Sequence, residues 1–342
     1  MDVLKQSYEQ LIFLQDLSIG FKAIIAIHNT KLGPALGGCR MWQYASDESA
    51  ILDALRLAQG MTYKSAVSGL PYGGGKAVII SHADQGPREV LFRALGQKIH
   101  DLQGTYITGM DLGTTVTDMD WVRLETSFVT DTTGSLGAVS ELTAKMTAYG
   151  VFLGIKASLK RAYGSETVKN KIIAVQGLGK VGYQLCRYLK QADATLVVTD
   201  INPKLLKKAV DDFGASPRRP HDIISAPCDV FSPCALGGIL NDTTIGQLNC
   251  SIIAGAANNQ LAESRHGEMI HGLGILYAPD YVINAGGIIV TSVELGGGDA
   301  VAAQKEVEKI SDTLTYVFSE ADAQGISTAA AADGVAEKLL GN

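Results

Sequence analysis

The sequence predicts a two-domain α/β protein, with an N-terminal α/β substrate domain, a Rossmann dinucleotide-binding domain and a cleft between them. Three observations predict it. A G-x-G-x-x-G lies between two apolar runs of strand length. Strands and helical patterns alternate through both halves. And 342 residues, 46% of them hydrophobic and 19% charged, supply apolar surface for two cores.

Residues 171–200 read KIIAVQGLGKVGYQLCRYLKQADATLVVTD. The run 172–175 has strand length and β-branched character. It leads into Gly177-Leu178-Gly179-Lys180-Val181-Gly182, then a helical pattern, then a second apolar run at 196–199 that ends in Asp200. This is the βαβ context that a dinucleotide fingerprint requires. Gly177 permits the tight turn, Gly179 lets a pyrophosphate approach the backbone, and Gly182 lets helix and strand pack closely. The helix N-terminus offers free N–H groups and partial positive charge to the phosphates. A strand-end carboxylate accepts both ribose hydroxyls and repels a 2′-phosphate. Asp200, with Ile201 beside it, therefore points to NAD rather than NADP. The hexapeptide alone would equally suit a glycine turn in another α/β protein; the two strands, the helix and the Asp favour the cofactor.

The substrate domain is expected over residues 1–134 and the nucleotide domain over 135–314, with helices from about 315 to 342 packing back on the first domain. Residues 1–20 read as a helix and then a strand, the strand carried by the apolar stretch that starts at Tyr8. Residues 21–28 (FKAIIAIH) read as a strong strand, and 33–40 (GPALGGCR) are too glycine-rich for a helix. Residues 46–60 carry Ile51, Ala54, Leu55 and Ala58 on one helical face, with Ser46 or Ser49 as cap and Gly60 as stop. A strand at 77–80, a helix at 87–101 and a strand at 105–108 follow. Residues 131–144 (DTTGSLGAVSELTA) read as a loop and 148–163 as a helix linking the halves. Later strands end at 231–234 and 252–255. The stretch 275–284 closes with Asn284-Ala285-Gly286-Gly287, where the glycines read as a flexing point. Residues 300–323 carry one long helical pattern, and a second helix follows.

Net charge is −6 and no basic run is present, so neither nucleic acid nor an anionic membrane is an expected partner. The chain starts with charged residues rather than an apolar leader, and no apolar run reaches membrane-spanning length. A cytoplasmic protein is expected. Cys39, Cys186, Cys228, Cys234 and Cys250 form no C-x-x-C and have no histidine cluster, so they read as reduced thiols, with no metal site.

The chemistry centres on two lysines. Lys64 and Lys76 both lie in apolar, glycine-rich surroundings next to strand-like runs. Burial and a neighbouring cation favour a neutral amine, which can act as a base, while a second lysine stays charged and holds a carboxylate. Asp111 follows a strand and precedes Gly113, so it can balance the pair or relay a proton. Spacing alone leaves open that both lysines are surface residues at strand entrances. Gly73-Gly74-Gly75-Lys76 is not a phosphate loop: Ala77 follows where Ser or Thr is needed, and a strand follows where a helix is needed.

GPALGGCR, GMTYKSA, GGGKAVI and GMDLGTT in the first half resemble the Glu/Leu/Phe/Val dehydrogenase superfamily, as do QGLGKVG, SPCALGGILN, IAGAANNQL and YAPDYVINAGG in the second. Order and spacing agree over roughly residues 20–330, and the wording is most like the leucine-specific branch. The resemblance implies reversible oxidative deamination of a hydrophobic L-amino acid with NAD, giving a 2-oxo acid and ammonia. It implies Lys76 as general base, Asp111 as its aid in proton transfer, and Lys64 as holder of the substrate carboxylate. Asn284 would lie near that carboxylate, and Gly37 and Gly38 would line the substrate side chain. Thr147 and Asn258 would orient the nicotinamide, with Ala256 nearby. A homo-oligomer, from dimer to octamer, is also implied.

Substrate choice turns on a few positions. Gly109 stands where leucine-specific relatives commonly carry Ala and aromatic-specific ones Gly, so the missing methyl is expected to enlarge the pocket. Ile288 matches a pocket position that is Val in leucine enzymes and often Leu in phenylalanine enzymes. Thr291 stands where many relatives have Val, and its hydroxyl is expected to bond to the backbone. Phenylalanine or tryptophan is the alternative substrate. Two readings of other classes compete. An NAD-binding sensor without chemistry would be expected to have lost Lys64, Lys76 or Asp111. A 2-hydroxy-acid dehydrogenase would need a catalytic Arg–His pair, and Arg265-His266 reads instead as a solvated helix face.

Overall fold

The computed structural model describes residues 7–83 and 85–341. The helix expected before Tyr8 lies outside the described residues. By internal contacts the chain forms two compact units: one runs to Ser140 and includes Glu294–Gly296 and the residues from Leu339 on, and the other comprises Glu141–Val293 and Gly297–Lys338.

The first unit runs through β1 (Gln10–Asp16), β2 (Phe21–Asn29), β3 (Ala35–Leu36), β4 (Cys39–Trp42), α1 (Asp47–Val67), β5 (Gly73–Ile80), α2 (Arg88–Asp101), β6 (Tyr106–Ile107) and α3 (Val116–Arg123). Among the described residues its sheet has the order β1-β2-β5-β3-β6, with β4 also paired to β5. Strand β2 alternates between two cores, as a strand buried on both faces must. Phe21, Ala23, Ile25 and Ile27 pack with Leu91, Phe92, Leu95 and Ile99 of α2. Ile24 and Ala26 pack with Ala50, Ala54, Leu55 and Ala58 of α1.

Helix α1 begins where expected. The Ser46 hydroxyl accepts the Ser49 N–H and the Ser49 hydroxyl accepts the Ser46 N–H, a reciprocal cap. It does not stop at Gly60 but continues to Val67. Thr62, Ser65, Ala66 and Val67 are buried beyond the glycine, and that packing outweighs the ~1 kcal/mol a glycine costs inside a helix.

The triple glycine at the start of β5 is strand, and its purpose is close approach. A Cβ on Gly73 would sit 1.9 Å from the Asn29 carbonyl oxygen, one on Gly74 2.1 Å from the Thr62 amide nitrogen, and one on Gly75 2.8 Å from the Tyr106 ring. Strand and helix backbones thus close on β5 from several directions.

The second unit contains α4 (Leu142–Tyr163), β7 (Ile172–Gln176), α5 (Lys180–Gln191), β8 (Thr195–Thr199), α6 (Pro203–Phe213), β9 (Ser216–Pro217), β10 (Val230–Pro233), β11 (Ile252–Ile253), α7 (Arg265–Gly272), β12 (Leu276–Tyr277), α8 (Asp280–Ile283), most of α9 (Gly286–Leu295), α10 (Ala300–Glu308), α11 (Ile310–Gln324) and nearly all of α12 (Thr328–Leu339). Its sheet order is β12-β11-β10-β7-β8-β9 with parallel pairs throughout, the doubly wound Rossmann order. The switch point lies between β7 and β10.

Three expectations need correcting here. Helix α4 starts at Leu142, so the end of the 131–144 segment is already helical and Thr147 sits inside a helix. The pattern over 300–323 is two helices, α10 and α11, separated at Lys309. Gly286 is a packing position, not a flexing point: a Cβ there would lie 2.3 Å from the Met146 carbonyl oxygen and 2.7 Å from the Thr147 Cα, so its bareness lets the start of α9 touch α4. Among the described residues no helix is long and apolar enough to cross a membrane.

Candidate active site

Lys76 lies on β5, opposite Ala26 of β2, and is 4% exposed. Its Nζ is 3.0 Å from Oδ2 of Asp111. The same oxygen accepts a 2.7 Å bond from Nε of Arg40 on β4. Arg40 also donates Nη1 to Asp53 at 2.9 Å, and the Tyr44 hydroxyl donates to that Asp53 oxygen at 2.6 Å. Burial pushes the Asp111 carboxyl up, but Lys76 and Arg40 outweigh it and bring the carboxyl down to about 2. It is a firm anion between two cations. The sequence carries no local sign of Arg40's part, because its partners Asp53 and Asp111 lie on other elements, 13 and 71 residues away.

The loop bearing Asp111 is fixed by its own turn. The Asp111 N–H donates to the Thr114 hydroxyl at 2.9 Å, and the Cys39 N–H donates to the Gly109 carbonyl at 2.7 Å. Gly37 and Gly38 face this machinery backbone to backbone. A Cβ on Gly37 would meet the Gly75 carbonyl oxygen at 1.9 Å, and one on Gly38 the Met110 carbonyl oxygen at 2.3 Å. Lys64 is not beside a strand-like run: it occupies the last turn of α1 and is half-buried.

Gly109 does not open space. A Cβ there would lie 2.5 Å from the Thr130 hydroxyl and 2.6 Å from Oδ2 of Asp131. The volume of the missing methyl is already filled, which corrects the expectation of an enlarged pocket.

In the second unit the glycines behave as the fingerprint predicts. Gly177 has φ 97°, which favours glycine. A Cβ on Gly182 would sit 2.0 Å from the Gly177 carbonyl oxygen, whereas one on Gly179 would meet open space. Gly179 precedes α5 and no side chain caps that helix, so its first N–H groups remain for an anion. Leu178 is buried, and its N–H donates to Asp200 Oδ2 at 2.6 Å; Asp200 Oδ1 accepts the Asn202 N–H at 2.7 Å. Ile201 is 91% exposed beside it, an apolar surface suited to a base. Lys180 pairs with Glu141 at 3.0 Å, and Val181 is half-buried in the first turn.

Asn284 follows α8 and is 5% exposed. Its Nδ2 donates to the Ala256 carbonyl at 3.1 Å and to Asn258 Oδ1 at 2.8 Å, while its buried Oδ1 has no partner among the described residues. A buried, unpaired acceptor is costly unless a ligand donates to it. Thr147 donates its hydroxyl to the Thr143 carbonyl at 2.8 Å, and Thr291 to the Gly287 carbonyl at 3.3 Å, the backbone bond expected of it. Ile288 is buried. Open space at Gly179, free helix N–H groups, the Asp200 carboxylate and the orphaned Asn284 oxygen together fit a dinucleotide.

The Arg265–His266 pair is not a solvated face throughout. His266 is 1% exposed, and its Nδ1 accepts the Glu263 N–H at 2.9 Å. Arg265 is exposed and binds Asp242 and Glu263. Both are thus engaged in holding the start of α7.

The sequence matches two family models: Glu/Leu/Phe/Val dehydrogenase, dimerisation domain, over residues 14–128, and Glutamate/Leucine/Phenylalanine/Valine dehydrogenase over 137–209 and 198–334. It is 53% identical to a leucine dehydrogenase of Geobacillus stearothermophilus over 333 residues, 97% of this chain and 90% of that protein. It is 43% identical to a phenylalanine dehydrogenase of Caldalkalibacillus thermarum over 338 residues, 97% of this chain and 91% of that one. Among solved structures, L-tryptophan dehydrogenase from Nostoc punctiforme superposes with a TM-score of 0.86 at 44% identity, covering 99% of this chain and 98% of that chain. With both halves matched in order, the chain belongs to the Glu/Leu/Phe/Val dehydrogenase family and is an amino-acid dehydrogenase.

Proposed function

We propose that this enzyme catalyses the reversible, NAD-dependent oxidative deamination of a branched-chain L-amino acid, leucine foremost, to the 2-oxo acid and ammonia. The observation that carries the reading is the buried Lys76–Asp111 pair with Arg40 on the same oxygen. The higher identity to leucine dehydrogenase than to the aromatic-specific relatives favours leucine, and so does the filled space beside Gly109.

Lys64 holds the substrate carboxylate, which fixes the orientation of the α-carbon, an effect of position. NAD, when bound, would supply the hydride acceptor for that carbon. Lys76, once it has released its own proton through Asp111, then acts as a neutral amine and takes a proton from the water that adds to the resulting imine. The tetrahedral adduct loses ammonia as its C–N bond breaks, leaving the 2-oxo acid. Gly177 to Gly182 hold the pyrophosphate, Asp200 the ribose and Ile201 the base. Asn284 has only an acceptor to offer, so we place it against an N–H donor, the nicotinamide amide or the substrate amine, rather than against a carboxylate. Thr147, Ala256 and Asn258 surround that end. The family's dimerisation domain supports a homo-oligomer, which sedimentation as a monomer would overturn.

The test is NADH formation at alkaline pH with L-leucine, L-valine, L-isoleucine, L-phenylalanine, L-tryptophan and L-glutamate. Fastest turnover with the branched aliphatics is expected. Fastest turnover with phenylalanine or tryptophan would move the enzyme to the aromatic branch. No NADH from any of them, with NAD still bound, would overturn the reading.

A further inference from the structure

Asp131 is a buried acid that the mechanism above does not use. It is 9% exposed and has a left-handed backbone, φ 58°, which residues with a Cβ disfavour. The segment is pinned on both sides: the Thr130 N–H donates to the Thr108 carbonyl at 2.8 Å, and Thr133 donates its N–H and hydroxyl to Asp120 at 2.7 and 2.6 Å. The carboxylate therefore has a set place. Its Oδ2 accepts the Met110 N–H at 2.9 Å, one residue before Asp111, and stands 2.6 Å from where a Gly109 Cβ would be. Its Oδ1 has no hydrogen-bond partner among the described residues. Burial pushes the carboxyl up, the Met110 N–H pulls it down, and the Glu294 charge pushes it up again.

A carboxylate on a strained backbone that spends one oxygen on the Met110 N–H and leaves the other unbonded among the described residues is an odd choice for structure alone. We propose that Asp131 determines side-chain specificity: its carboxyl group fills the volume beside Gly109 and closes the amino-acid side-chain pocket with a polar wall. This rests on the reading that Gly109 lines that pocket. Glycine at 109 and aspartate at 131 then form a matched pair, in which the side chain absent from one segment is supplied by the other. A compact branched side chain fits beneath the carboxyl group, and a phenyl ring is turned away.

The experiment measures kcat/KM with L-leucine and L-phenylalanine, by NADH formation, for the full-length enzyme and four variants. In Asp131→Gly the phenylalanine-to-leucine ratio is expected to rise by about tenfold or more, the discrimination that a change of one or two heavy-atom groups in a pocket supports. In Asp131→Asn, of the same shape, the ratio is expected to stay within about threefold, less than a methylene group typically contributes. Gly109→Ala is expected to lose most activity with both substrates, and Gly109→Ala with Asp131→Gly to recover activity with leucine. An unchanged ratio in Asp131→Gly, or a fully active Gly109→Ala enzyme, overturns the proposal. If Asp131→Gly does not fold, the double variant supplies the ratio, and its failure to recover over Gly109→Ala counts against the proposal. A parent enzyme silent on every amino acid overturns the function and this inference together. An active parent with unchanged ratios overturns this inference alone.

Discussion

Lys76 and Arg40 share one oxygen of Asp111, at 3.0 and 2.7 Å. One carboxylate thus separates two cations, one on β5 and one on β4, with little water to screen them. Replacing Asp111 with Asn should therefore hurt twice. NADH formation should fall by about 10²–10⁴, the usual loss when proton transfer is impaired. Stability should fall by on the order of 3 kcal/mol, because the buried Lys76 then loses its carboxylate and faces Arg40, which keeps only Asp53. Steady-state kinetics and denaturant unfolding separate the two losses.

The same site sets an acid limit. The folded carboxyl of Asp111 sits at about 2, below its value in an unfolded chain. Its stabilisation is complete above the ordinary carboxylate range near 4 and is lost as pH falls towards 2. Between pH 5 and 2 the melting temperature of Asp111→Asn should decline less steeply than that of the parent. Parallel slopes would show that other carboxylates govern acid unfolding.

Asp333 works in the opposite sense. The Tyr281 hydroxyl donates to it at 2.7 Å. Burial drives its carboxyl up to about 6, against the Tyr281 bond, with Glu337 and Asp280 adding to the push. An acid whose folded pKa is raised binds more protons when folded, so stability declines as pH rises from about 4 to about 6 and stays lower above that. Asp333→Asn keeps an acceptor for Tyr281 and removes the charge. At pH 8 it should be more stable than the parent by on the order of 2 kcal/mol, and at pH 4 no more stable. Unfolding midpoints at the two pH values decide it.

The fingerprint glycines should separate binding from folding. Gly179→Ala places a methyl in open space with φ −64°, so folding stability should change by about 1 kcal/mol or less. NAD affinity should nevertheless drop by roughly tenfold or more, because the pyrophosphate can no longer approach the backbone. Gly182→Ala would set a methyl 2.0 Å from a carbonyl oxygen and should cost about 2–4 kcal/mol of stability as well. Calorimetric binding beside thermal melts tests both.

Lys64→Ala should raise KM for the amino acid by roughly 10- to 100-fold, the worth of a hydrogen bond to a charged group, and leave NAD binding unchanged. A KM that does not move would remove Lys64 from the carboxylate site.

The nucleotide half was legible because its signals are local. One stretch of about 30 residues holds the strand, the glycines, the helix and Asp200, and each does its work next to its neighbours. The lysine site was half legible. Lys76 and Asp111 stood out by their glycine-rich surroundings, but Arg40 joins them only through the pairing of β4 with β5, and Asp53 only through the packing of α1. Gly60 misled because glycine's cost is smaller than the gain from burying the four residues beyond it. Gly109 misled for a related reason: a missing methyl says nothing about what fills its place, and Asp131 comes from a different segment with φ 58°. Gly286 looked like a hinge because sequence cannot tell a glycine that bends from one that is pressed against a helix.

The bare start of β5 has a further consequence. Gly73, Gly74 and Gly75 let β2, β3, α1 and the Tyr106 ring press directly on the strand, and Lys76 is the next residue along. Motions that expose those amides require several elements to part at once, since none is cushioned by a side chain that can rotate aside. In heavy water the backbone protons of residues 74–77 should be among the last of the first unit to exchange. The proton-accepting amine would then be anchored to one of the least mobile stretches of its unit, with its freedom confined to its own four-carbon arm.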